Sequence, residues 1–540
     1  MGRSLWLLLA LLAAVVVGPI ALRPRGDERI LRGDDTLVVI TPHNEAIRAE
    51  FGRGFREWYH ARTGRTVTVD YRTPGGTSEI VRFIKGQYAG TFQNRWRNVL
   101  GKQWSRDVAD AFLNAKIVPD NSPADDTPAE AARRDFLASD AGCGHDVFFG
   151  GGALDFKSMA ADGVLVDSGF VRAHPELFGD HAIPEIVGGE PYWDPAGRWI
   201  GTAIGAFGIA FNRDLIARLG LPEPQRWDNL ADPRYFRTLA LANPTQSSSA
   251  NKAFEMLIQQ QMNEAIAGKG GASEKQAVAD GWRKAMNLLQ RIGANARYWS
   301  DFSSKIALDV EAGEAAAGMT IDFYGRVQAA TVLRADGTSR VGYNDASGGT
   351  SYGVDPVAML RGAPHPELAR HFITYLLSPE GQKIWGWKTN LPDGPKETAL
   401  HRLPVLPSLY APEFRSFRCT PDVLPYERAK SFAYVGSRTG RHFNAIRFVV
   451  RVMCIDAHTE LRAAWEALMA ARRADGSFPP EALAAFEDVS AVSYDSTTNE
   501  IIPATSRGAS MIAQVQLTKR LADVFRENYR RSAELARAGR

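Results

Sequence analysis

The amino-terminal part of the chain alternates short apolar runs with segments whose apolar residues recur at helical spacing. A buried strand is predicted at 37–40, followed by an amphipathic helix at 47–58. A second strand is predicted at 67–71, and a second helix follows the turn at 73–78. This alternation of strand and helix predicts a parallel sheet with helices on its faces.

The same alternation continues through the middle of the chain. Further strands are predicted at 146–149, 163–166, 238–242, 315–321 and 354–360, and a helix at 366–377. Glycine alternates with apolar residues at 199–211, which predicts a long pair of strands suited to crossing between two lobes. The polar, Pro/Asp/Ala-rich segment at about 90–141 is predicted to be an insertion on the first lobe.

The pattern changes after residue 388, where extended Pro-rich chain precedes three predicted helices at 443–452, 460–473 and 511–536. This tail is predicted to be a helical extension packed on one lobe. A chain of 540 residues is too long for one hydrophobic core, so several units are expected. The predicted units are an amino-terminal segment (1–30), lobe 1 (36–198 and 352–388), lobe 2 (199–351) and a carboxy-terminal extension (389–540).

The first residues have the pattern of an export signal. Arg3 precedes the apolar residues 5–22, and Arg23 bounds the run. The segment is interpreted either as a cleaved signal peptide or as a single membrane anchor, because about 18–20 apolar residues can just span a bilayer. Both interpretations predict that the rest of the chain is periplasmic, and the second predicts membrane contact through residues 5–22.

Charge and cysteine content limit the kinds of partner. Lys and Arg total 64 against 61 Asp and Glu, a formal net charge of +3, which argues against a nucleic-acid-binding face. Cys143, Cys419 and Cys454 are the only cysteines, so no disulfide framework holds the fold. One pair of them can bridge in an oxidising compartment, and the sequence does not choose which.

Four turns share one arrangement, in which a strand ends, small or hydroxyl residues follow, and a helix begins. They are Gly75-Gly76-Thr77-Ser78, Gly150-Gly151-Gly152, Ser247-Ser248-Ser249 and Ser303-Ser304. A helix start has unpaired backbone N–H groups and the positive end of the helix dipole, so it favours an anion. Capping for stability alone is the alternative explanation of each single turn. Four such turns in two α/β segments favour one shared anion-binding cleft.

Other polar residues follow predicted strands directly. His43, Asn44 and Glu45 follow the first strand, and Asp322 and Tyr324 follow a later one. They are candidates to coordinate a metal or to hydrogen-bond a ligand, and surface exposure is the alternative for the histidine.

Enzyme signatures are scarce. The chain lacks GxSxG, HExxH and GxxxxGK[ST] motifs, so neither catalysis nor a cofactor is expected. Cys143 next to Gly144-His145 suggests a nucleophile, but a cysteine in a glycine-flanked loop without an orienting group is more simply incidental.

Several segments resemble the extracellular solute-binding proteins of family 1, in the branch that includes ferric-ion, thiamine and phosphonate receptors. They lie at 37–45, 146–149, 227–233, 240–245 and 365–382, in the order and spacing of that family. The resemblance implies the type II periplasmic binding fold. Its two α/β lobes are joined by crossover strands and close on a ligand, here with an added carboxy-terminal helical extension.

The resemblance also bears on the ligand. In ferric receptors a histidine follows the first strand, as His43 does here, but Gly150–Gly152 stand where their acidic ligand lies. Phe323-Tyr324 replaces their tyrosine pair, so one phenolate is missing. Because a hard cation needs several oxygen ligands, an organic phosphate or phosphonate is expected over iron. His43 and Tyr324 would be the ligands of a ferric ion, and thiamine or its phosphate stays open.

The sequence therefore predicts the binding component of an ABC importer, which captures a small anionic solute for a permease in the cytoplasmic membrane. A membrane-anchored ligand sensor is the alternative. The residues predicted to contact the ligand are His43, Asn44, Glu45, Gly75, Gly76, Thr77, Ser78, Gly151, Ser247, Ser248, Ser303, Asp322 and Tyr324.

Overall fold

The computed structural model describes residues 33–119, 122–506 and 509–540. The predicted amino-terminal segment, with its apolar residues 5–22, lies outside these ranges. Within the described ranges, no helix combines the length and the apolar character needed to cross a bilayer.

The chain folds into strands and helices in the alternating order that its sequence predicts. The strands are β1 (Asp35–Ile40), β2 (Val67–Arg72), β3 (Val147–Phe149), β4 (Leu165–Val166), β5 (Ile186–Val187), β6 (Glu190–Pro191), β7 (Ile200–Gly205), β8 (Phe207–Asn212), β9 (Leu239–Ala242), β10 (Ala296–Ser300), β11 (Ala317–Ile321), β12 (Val341–Asp345), β13 (Gly353–Leu360) and β14 (Leu403–Pro404). The α-helices are α1 (Glu45–Thr63), α2 (Thr77–Asn94), α3 (Arg106–Ala111), α4 (Pro128–Ala138), α5 (Ala153–Asp162), α6 (Phe170–Ala173), α7 (Arg213–Arg218), α8 (Ser248–Ala267), α9 (Glu274–Asn295), α10 (Ser304–Ala312), α11 (Asp322–Thr331), α12 (Pro366–Leu377), α13 (Pro379–Gly386), α14 (Pro425–Arg428), α15 (Gly436–Thr439), α16 (Phe443–Val450), α17 (His458–Ala470), α18 (Pro480–Phe486), α19 (Tyr494–Ser496), α20 (Ile502–Thr505) and α21 (Met511–Arg537).

The first lobe is built on a sheet of seven strands. Its order is β14-β7-β13-β3-β1-β2, and β4 pairs with β13. The strands β1, β2 and β3 run parallel, as the sequence predicts, and β13 runs antiparallel to β3 and β7. The helices α1, α12 and α13 cover one face, where Phe51, Phe55 and Trp385 are buried.

The second lobe repeats this topology on a sheet of order β10-β9-β11-β8-β12. In each sheet the strand that arrives from the other lobe runs antiparallel to its neighbours, β13 in the first sheet and β8 in the second. The chain crosses between the lobes from β7 to β8 and returns from β12 to β13. The protein therefore has the type II periplasmic binding fold, and the predicted crossover at 199–211 is confirmed.

The carboxy-terminal extension differs from the expectation, because it packs on both lobes. Residues 389–432 add β14 to the edge of the first sheet, and Leu403, Val405 and Leu409 join the core of lobe 1. Residues 443–540 form the predicted helices, but these pack on α8 and α9 of lobe 2. The prediction of one lobe is wrong because an edge strand of two residues, β14, leaves no periodic signal in the sequence. The extension is thus a third covalent connection between the lobes.

The three cysteines are described and lie apart, so the structure contains no disulfide among them. Cys143 and Cys454 are buried, and Cys419 is partly exposed. The possibility of a bridged pair is therefore not realised in this fold.

Candidate functional site

A cleft with a volume of about 900 Å³ separates the two lobes. All four turns that the sequence singled out converge on it, from strand ends in lobe 1 and lobe 2. Ten of the predicted ligand contacts line it: His43, Asn44, Gly75, Gly76, Thr77, Gly151, Ser247, Ser248, Ser303 and Tyr324.

Four helices begin at this cleft, namely α2, α5, α8 and α10. Within the described chain, the side chain of the N-cap residue makes no capping bond at three of them, where Gly76, Gly152 and Ser303 occupy the position. Ser247 at the start of α8 differs, because its hydroxyl accepts a hydrogen bond from the N–H of Ala250. The first-turn N–H groups of α2, α5 and α10 are thus not capped in this way, and each helix start directs N–H donors and the positive end of its dipole at the cleft.

One pair of serines joins the lobes directly across the cleft. The hydroxyl oxygens of Ser78 in lobe 1 and Ser248 in lobe 2 lie 2.9 Å apart. Ser78 does not itself line the cavity, yet it touches a residue that does. The two helix starts are therefore in contact in this closed arrangement.

His43 is held against a glycine turn at the floor of the cleft. A Cβ atom on Gly150 would lie 2.5 Å from the imidazole, and Gly150 has a φ of +93°, so only glycine fits there without strain. The ring packs edge-on against Phe149 with a centroid distance of 4.5 Å. Burial lowers the pKa of His43, although Asp355 Oδ2 lies 3.6 Å from its Nε2, so the imidazole is neutral at pH 7.

Arg402 is a site residue that the sequence reasoning missed. Its side chain is 1% exposed and lines the cleft, and its Nη1 lies 2.6 Å from Asp355 Oδ2. Burial opposes ionisation of Asp355, but the charge of Arg402 and the nearby imidazole of His43 hold the pKa of that carboxyl below its usual value. Arg402 precedes β14 in the Pro-rich tail, where nothing in the local pattern announces a buried arginine.

Lys252 forms a second charge cluster at the cleft wall with two buried carboxylates, and the sequence reasoning missed it too. Its Nζ lies 2.8 Å from Glu190 of lobe 1 and 3.0 Å from Glu255 of lobe 2. The ammonium also lies 3.7 Å from the ring centre of Tyr434, in the extension. Burial opposes protonation, but the two carboxylates outweigh it and raise the pKa of Lys252. Lobe 1, lobe 2 and the extension therefore all contact the ammonium of Lys252.

Two predicted contacts lie elsewhere. Glu45 is exposed at the first position of α1 and points away from the lining of the cleft. Asp322 is completely buried, and its Oδ1 accepts a hydrogen bond from the N–H of Phe323 at 2.8 Å. Its other oxygen lies 3.4 Å from Arg326 Nε, and burial raises the pKa of Asp322 to about 6. At the start of α11, the side chain of Asp322 is directed into the protein. Its neighbours are therefore other groups of the protein and not a ligand.

The cleft offers little to a metal ion. Across residues 33–119, 122–506 and 509–540, no group of three or more His, Cys, Asp or Glu side chains is placed to hold one. Burial raises the pKa of Tyr324, which disfavours the phenolate that a ferric ion requires. His43 and Tyr324 both line the cavity, but beside the cation Arg402.

Cys143 lacks the properties of a nucleophile. The thiol is buried, and burial raises its pKa to about 11. The Nδ1 of His145 lies 2.8 Å from the carbonyl oxygen of Cys143, in place of its sulfur. His145 is therefore close to Cys143 in the sequence because it contacts the backbone of Cys143, and it does not activate the thiol.

Asp155 at the start of α5 gives the stability of the closed protein a pH dependence. Burial raises its pKa to about 6, despite Arg447 and Lys85. Because this pKa exceeds that of the unfolded chain, the ionised carboxylate destabilises the fold: the penalty is absent below about pH 4 and complete above about pH 6. We expect Asp155→Asn to stabilise the protein by about 1–2 kcal/mol at pH 7.5 and not at pH 4. Thermal unfolding at both pH values tests this, with exposed Asp107→Asn as the control that changes neither.

Comparison with known proteins finds one sequence profile and several proteins that are similar to this chain. Residues 146–402 match the sequence profile described as bacterial extracellular solute-binding protein. The phosphoglycerate transport regulatory protein of Salmonella typhimurium is 30% identical over 187 residues, 34% of this chain and 40% of that protein. The chain thus spans about two-fifths of the length of this curated relative.

Two solved structures are similar at low identity. The periplasmic binding protein AfuA of Actinobacillus pleuropneumoniae, with fructose-6-phosphate bound, has a TM-score of 0.41 and 17% identity, covering 65% of this chain and 82% of its own. A putative extracellular solute-binding protein from Bordetella parapertussis has a TM-score of 0.45 and 16% identity, covering 78% of this chain and 99% of its own.

Proposed function

We propose that the protein captures a small organic phosphate or phosphonate for an ABC importer, because residues 146–402 match the profile of bacterial extracellular solute-binding proteins. The solute would be held between the lobes. A permease in the cytoplasmic membrane is the expected partner, and the periplasm the expected location. Catalysis forms no part of this proposal.

The observation that carries the proposal is the convergence of four helix starts on one interlobe cleft. In the described residues, no N-cap side chain accepts a hydrogen bond from the first-turn N–H groups of α2, α5 or α10. Serine and threonine hydroxyls line the cleft beside these groups. A phosphate has several acceptor oxygens on one tetrahedral centre, so donors from both lobes can bind it together. Two further donors, His43 and Arg402, are buried and line the same cavity.

The anion proposal is favoured over iron and thiamine. A ferric ion needs several hard oxygen ligands, and no three His, Cys, Asp or Glu side chains of the described residues are grouped to hold a metal ion. Thiamine is a cation, which the positive ends of the helix dipoles disfavour. The curated relative named as a regulator of phosphoglycerate transport gives separate support for a phosphate.

A screen of melting temperature tests the function. A solute that binds only the folded protein stabilises it by mass action, by about 2.7 kcal/mol at a hundredfold excess over its Kd. We expect glycerol phosphate, sugar phosphates or alkylphosphonates to raise the melting temperature, and ferric citrate and thiamine to leave it unchanged. If no phosphate or phosphonate raised it, the proposed function would be wrong.

Two adjacent serines separate the effect on binding from the effect on stability. Ser247→Ala removes the cap of α8 and is expected to lower stability by about 1 kcal/mol. Ser248 accepts no capping bond, and its hydroxyl contacts Ser78 across the cleft, so Ser248→Ala is expected to weaken binding about 3- to 10-fold with little loss of stability. Calorimetric titration with glycerol phosphate and thermal unfolding of both variants measure this. The reverse pattern would mean that Ser248 serves only the helix.

A sensor remains a second candidate, because the curated relative is named as a regulator of transport. In that case the carboxy-terminal helices on lobe 2 would pass ligand occupancy to a partner protein. Deletion of the gene distinguishes the two. Loss of solute uptake with the transporter expressed from a constitutive promoter indicates a binding component, and unchanged uptake under that promoter indicates a sensor.

A further inference from the structure

Arg402 has hydrogen-bonding capacity that the described residues leave unused. A guanidinium carries five N–H donors. Its Nη1 lies 2.6 Å from Asp355 Oδ2. In the part of the chain that the structure describes, however, none of its three nitrogens has a partner with hydrogen-bond geometry. Leaving buried donors unpaired is unfavourable, so the cleft is expected to receive acceptors from a guest.

The guanidinium is held in a fixed orientation. Its Cζ lies 4.4 Å from the ring centre of Phe323 and 5.2 Å from that of Trp385. The backbone N–H of Arg402 donates to the carbonyl of Trp385 at 2.9 Å, which anchors the residue at its base. A planar donor group restrained by two aromatic rings is suited to a planar acceptor with two oxygens, which is the geometry of a carboxylate.

The guanidinium of Arg402 is separate from the helix starts but lies on the same floor of the cleft. Asp355, the partner of Arg402, lies 3.6 Å from His43. The His43 ring covers Gly150, and the neighbouring Gly151 approaches Thr77 so closely that a Cβ would lie 2.8 Å from its methyl group. The imidazole and one glycine turn therefore lie between the guanidinium and the start of α2, so a ligand that reaches both must carry its two charged groups on separate atoms of a carbon chain.

The charges distinguish the two ends. Asp355 already neutralises the single positive charge of Arg402. A doubly charged phosphate beside Arg402 would therefore be repelled by the carboxylate of Asp355 at close range. A carboxylate brings a single negative charge and two coplanar oxygens. The helix starts, with N–H groups from several directions, suit the tetrahedral phosphate.

We propose that the solute is a small carboxylic acid that bears a phosphate or phosphonate, with its carboxylate on Arg402 and its phosphorus group on the helix starts. This inference rests on the proposed function and narrows it to one class of solute. Arg402 is the residue that selects this class against phosphates without an acid group.

A matched pair of compounds tests it on the purified full chain. Glycerol 3-phosphate and 3-phosphoglycerate share three carbons and a phosphate, and they differ only in a hydroxymethyl against a carboxylate. We expect calorimetric titration to give a Kd roughly 10- to 100-fold lower for 3-phosphoglycerate. Arg402→Gln is expected to reduce this ratio to about 1, because it weakens the binding of 3-phosphoglycerate far more than that of glycerol 3-phosphate.

Controls separate the role of the guanidinium from a loss of folding. Arg415→Gln changes an exposed arginine of the same tail, paired with Asp422, and is expected to keep the full ratio. Arg402→Lys keeps the charge without the planar fork, and is expected to give an intermediate ratio. Circular dichroism and melting temperature identify any variant that does not fold. If Arg402→Gln does not fold, the inference is judged from the ratio of the two Kd values in the unsubstituted protein.

The outcomes are distinct. Equal affinity for both compounds would overturn the inference and leave the proposed function standing. A ratio that survives in a folded Arg402→Gln variant would also overturn it. Binding of neither compound, nor of any other phosphate or phosphonate, would overturn the proposed function and this inference with it.

Discussion

Replacement of Lys252 by methionine is expected to lower the free energy of unfolding by about 3–5 kcal/mol, the largest loss of stability that we predict for one side chain. The ammonium lies within 3.0 Å of Glu190 and Glu255, and Glu255 is completely buried. Without the cation, two carboxylates would face each other away from water. Chemical denaturation at pH 7.5 measures the change.

Matched variants show whether the loss comes from unpaired charge. Lys305 also pairs with an aspartate on its own helix, but its side chain is 52% exposed, so Lys305→Met is expected to cost less than about 1 kcal/mol. The double variant Lys252→Met/Glu255→Gln is expected to recover part of the stability, because it removes one of the two buried charges. If the single variant unfolded within about 1 kcal/mol of the unsubstituted protein, buried charge would not hold this cluster together.

Gly150→Ala is expected to weaken phosphate binding at least about tenfold and to destabilise the protein by about 2–4 kcal/mol. The new methyl group would lie 2.5 Å from the His43 ring, at a backbone φ of +93° that alanine rarely adopts. The ring or the Gly150–Gly152 turn must then move, and both belong to the lining of the cleft. Titration with glycerol 3-phosphate and chemical denaturation measure the two effects.

A control glycine separates the strain of the backbone from the clash. Gly348 has a φ of +61°, with open space around its missing Cβ among the described residues, so Gly348→Ala is expected to show the backbone penalty alone. Adding His43→Ala to Gly150→Ala is expected to relieve the clash, so the double variant should be more stable than the two separate changes predict. Additive losses would contradict the contact between ring and turn.

Much of this fold follows from local pattern. Strands such as β1 and β9, and helices such as α1 and α12, follow from apolar spacing within about ten residues. The shared position of the four glycine and serine turns follows as well, because the carboxyl ends of parallel strands meet at one edge of a sheet. These two regularities suffice to predict a two-lobed protein with a cleft.

The charged residues of the cleft do not follow from local pattern. Arg402 meets Asp355 and His43, which lie 47 and 359 positions earlier in the chain, in a Pro-rich tail that has no helical or strand period. Lys252 lies on a helix whose first turn the sequence identified, yet its partner Glu190 comes from a short hairpin in the other lobe. Burial of a charge depends on such distant partners, which composition and periodicity cannot supply.

Asp322 shows the opposite error. A carboxylate directly after a strand predicts a ligand contact, but here Asp322 is buried and Arg326, on the next turn of α11, lies beside it with its side chain 10% exposed. Arg326 in turn pairs with Asp345 at 2.9 Å, and Asp345 also pairs with Arg428 of the extension, so these charges form a network among groups of the protein. Residue type and position in the sequence are the same for a ligand contact and for a structural ion pair, and the partner alone distinguishes them.

The chain passes between the lobes three times, through β7–β8, β12–β13 and the segment 433–442. This odd number means that β1 and the carboxy-terminal helix α21 belong to opposite lobes, whereas an even number would return the chain to the lobe where it started. Residues of the third passage, including Tyr434 and Arg441, also form part of the cleft wall. A rotation that separates the lobes must therefore also move the segment 433–442. Occupancy of the cleft is in this way mechanically linked to the carboxy-terminal helices packed on lobe 2. Fluorophores placed on β2 and α21 would report that rotation as a change in their separation.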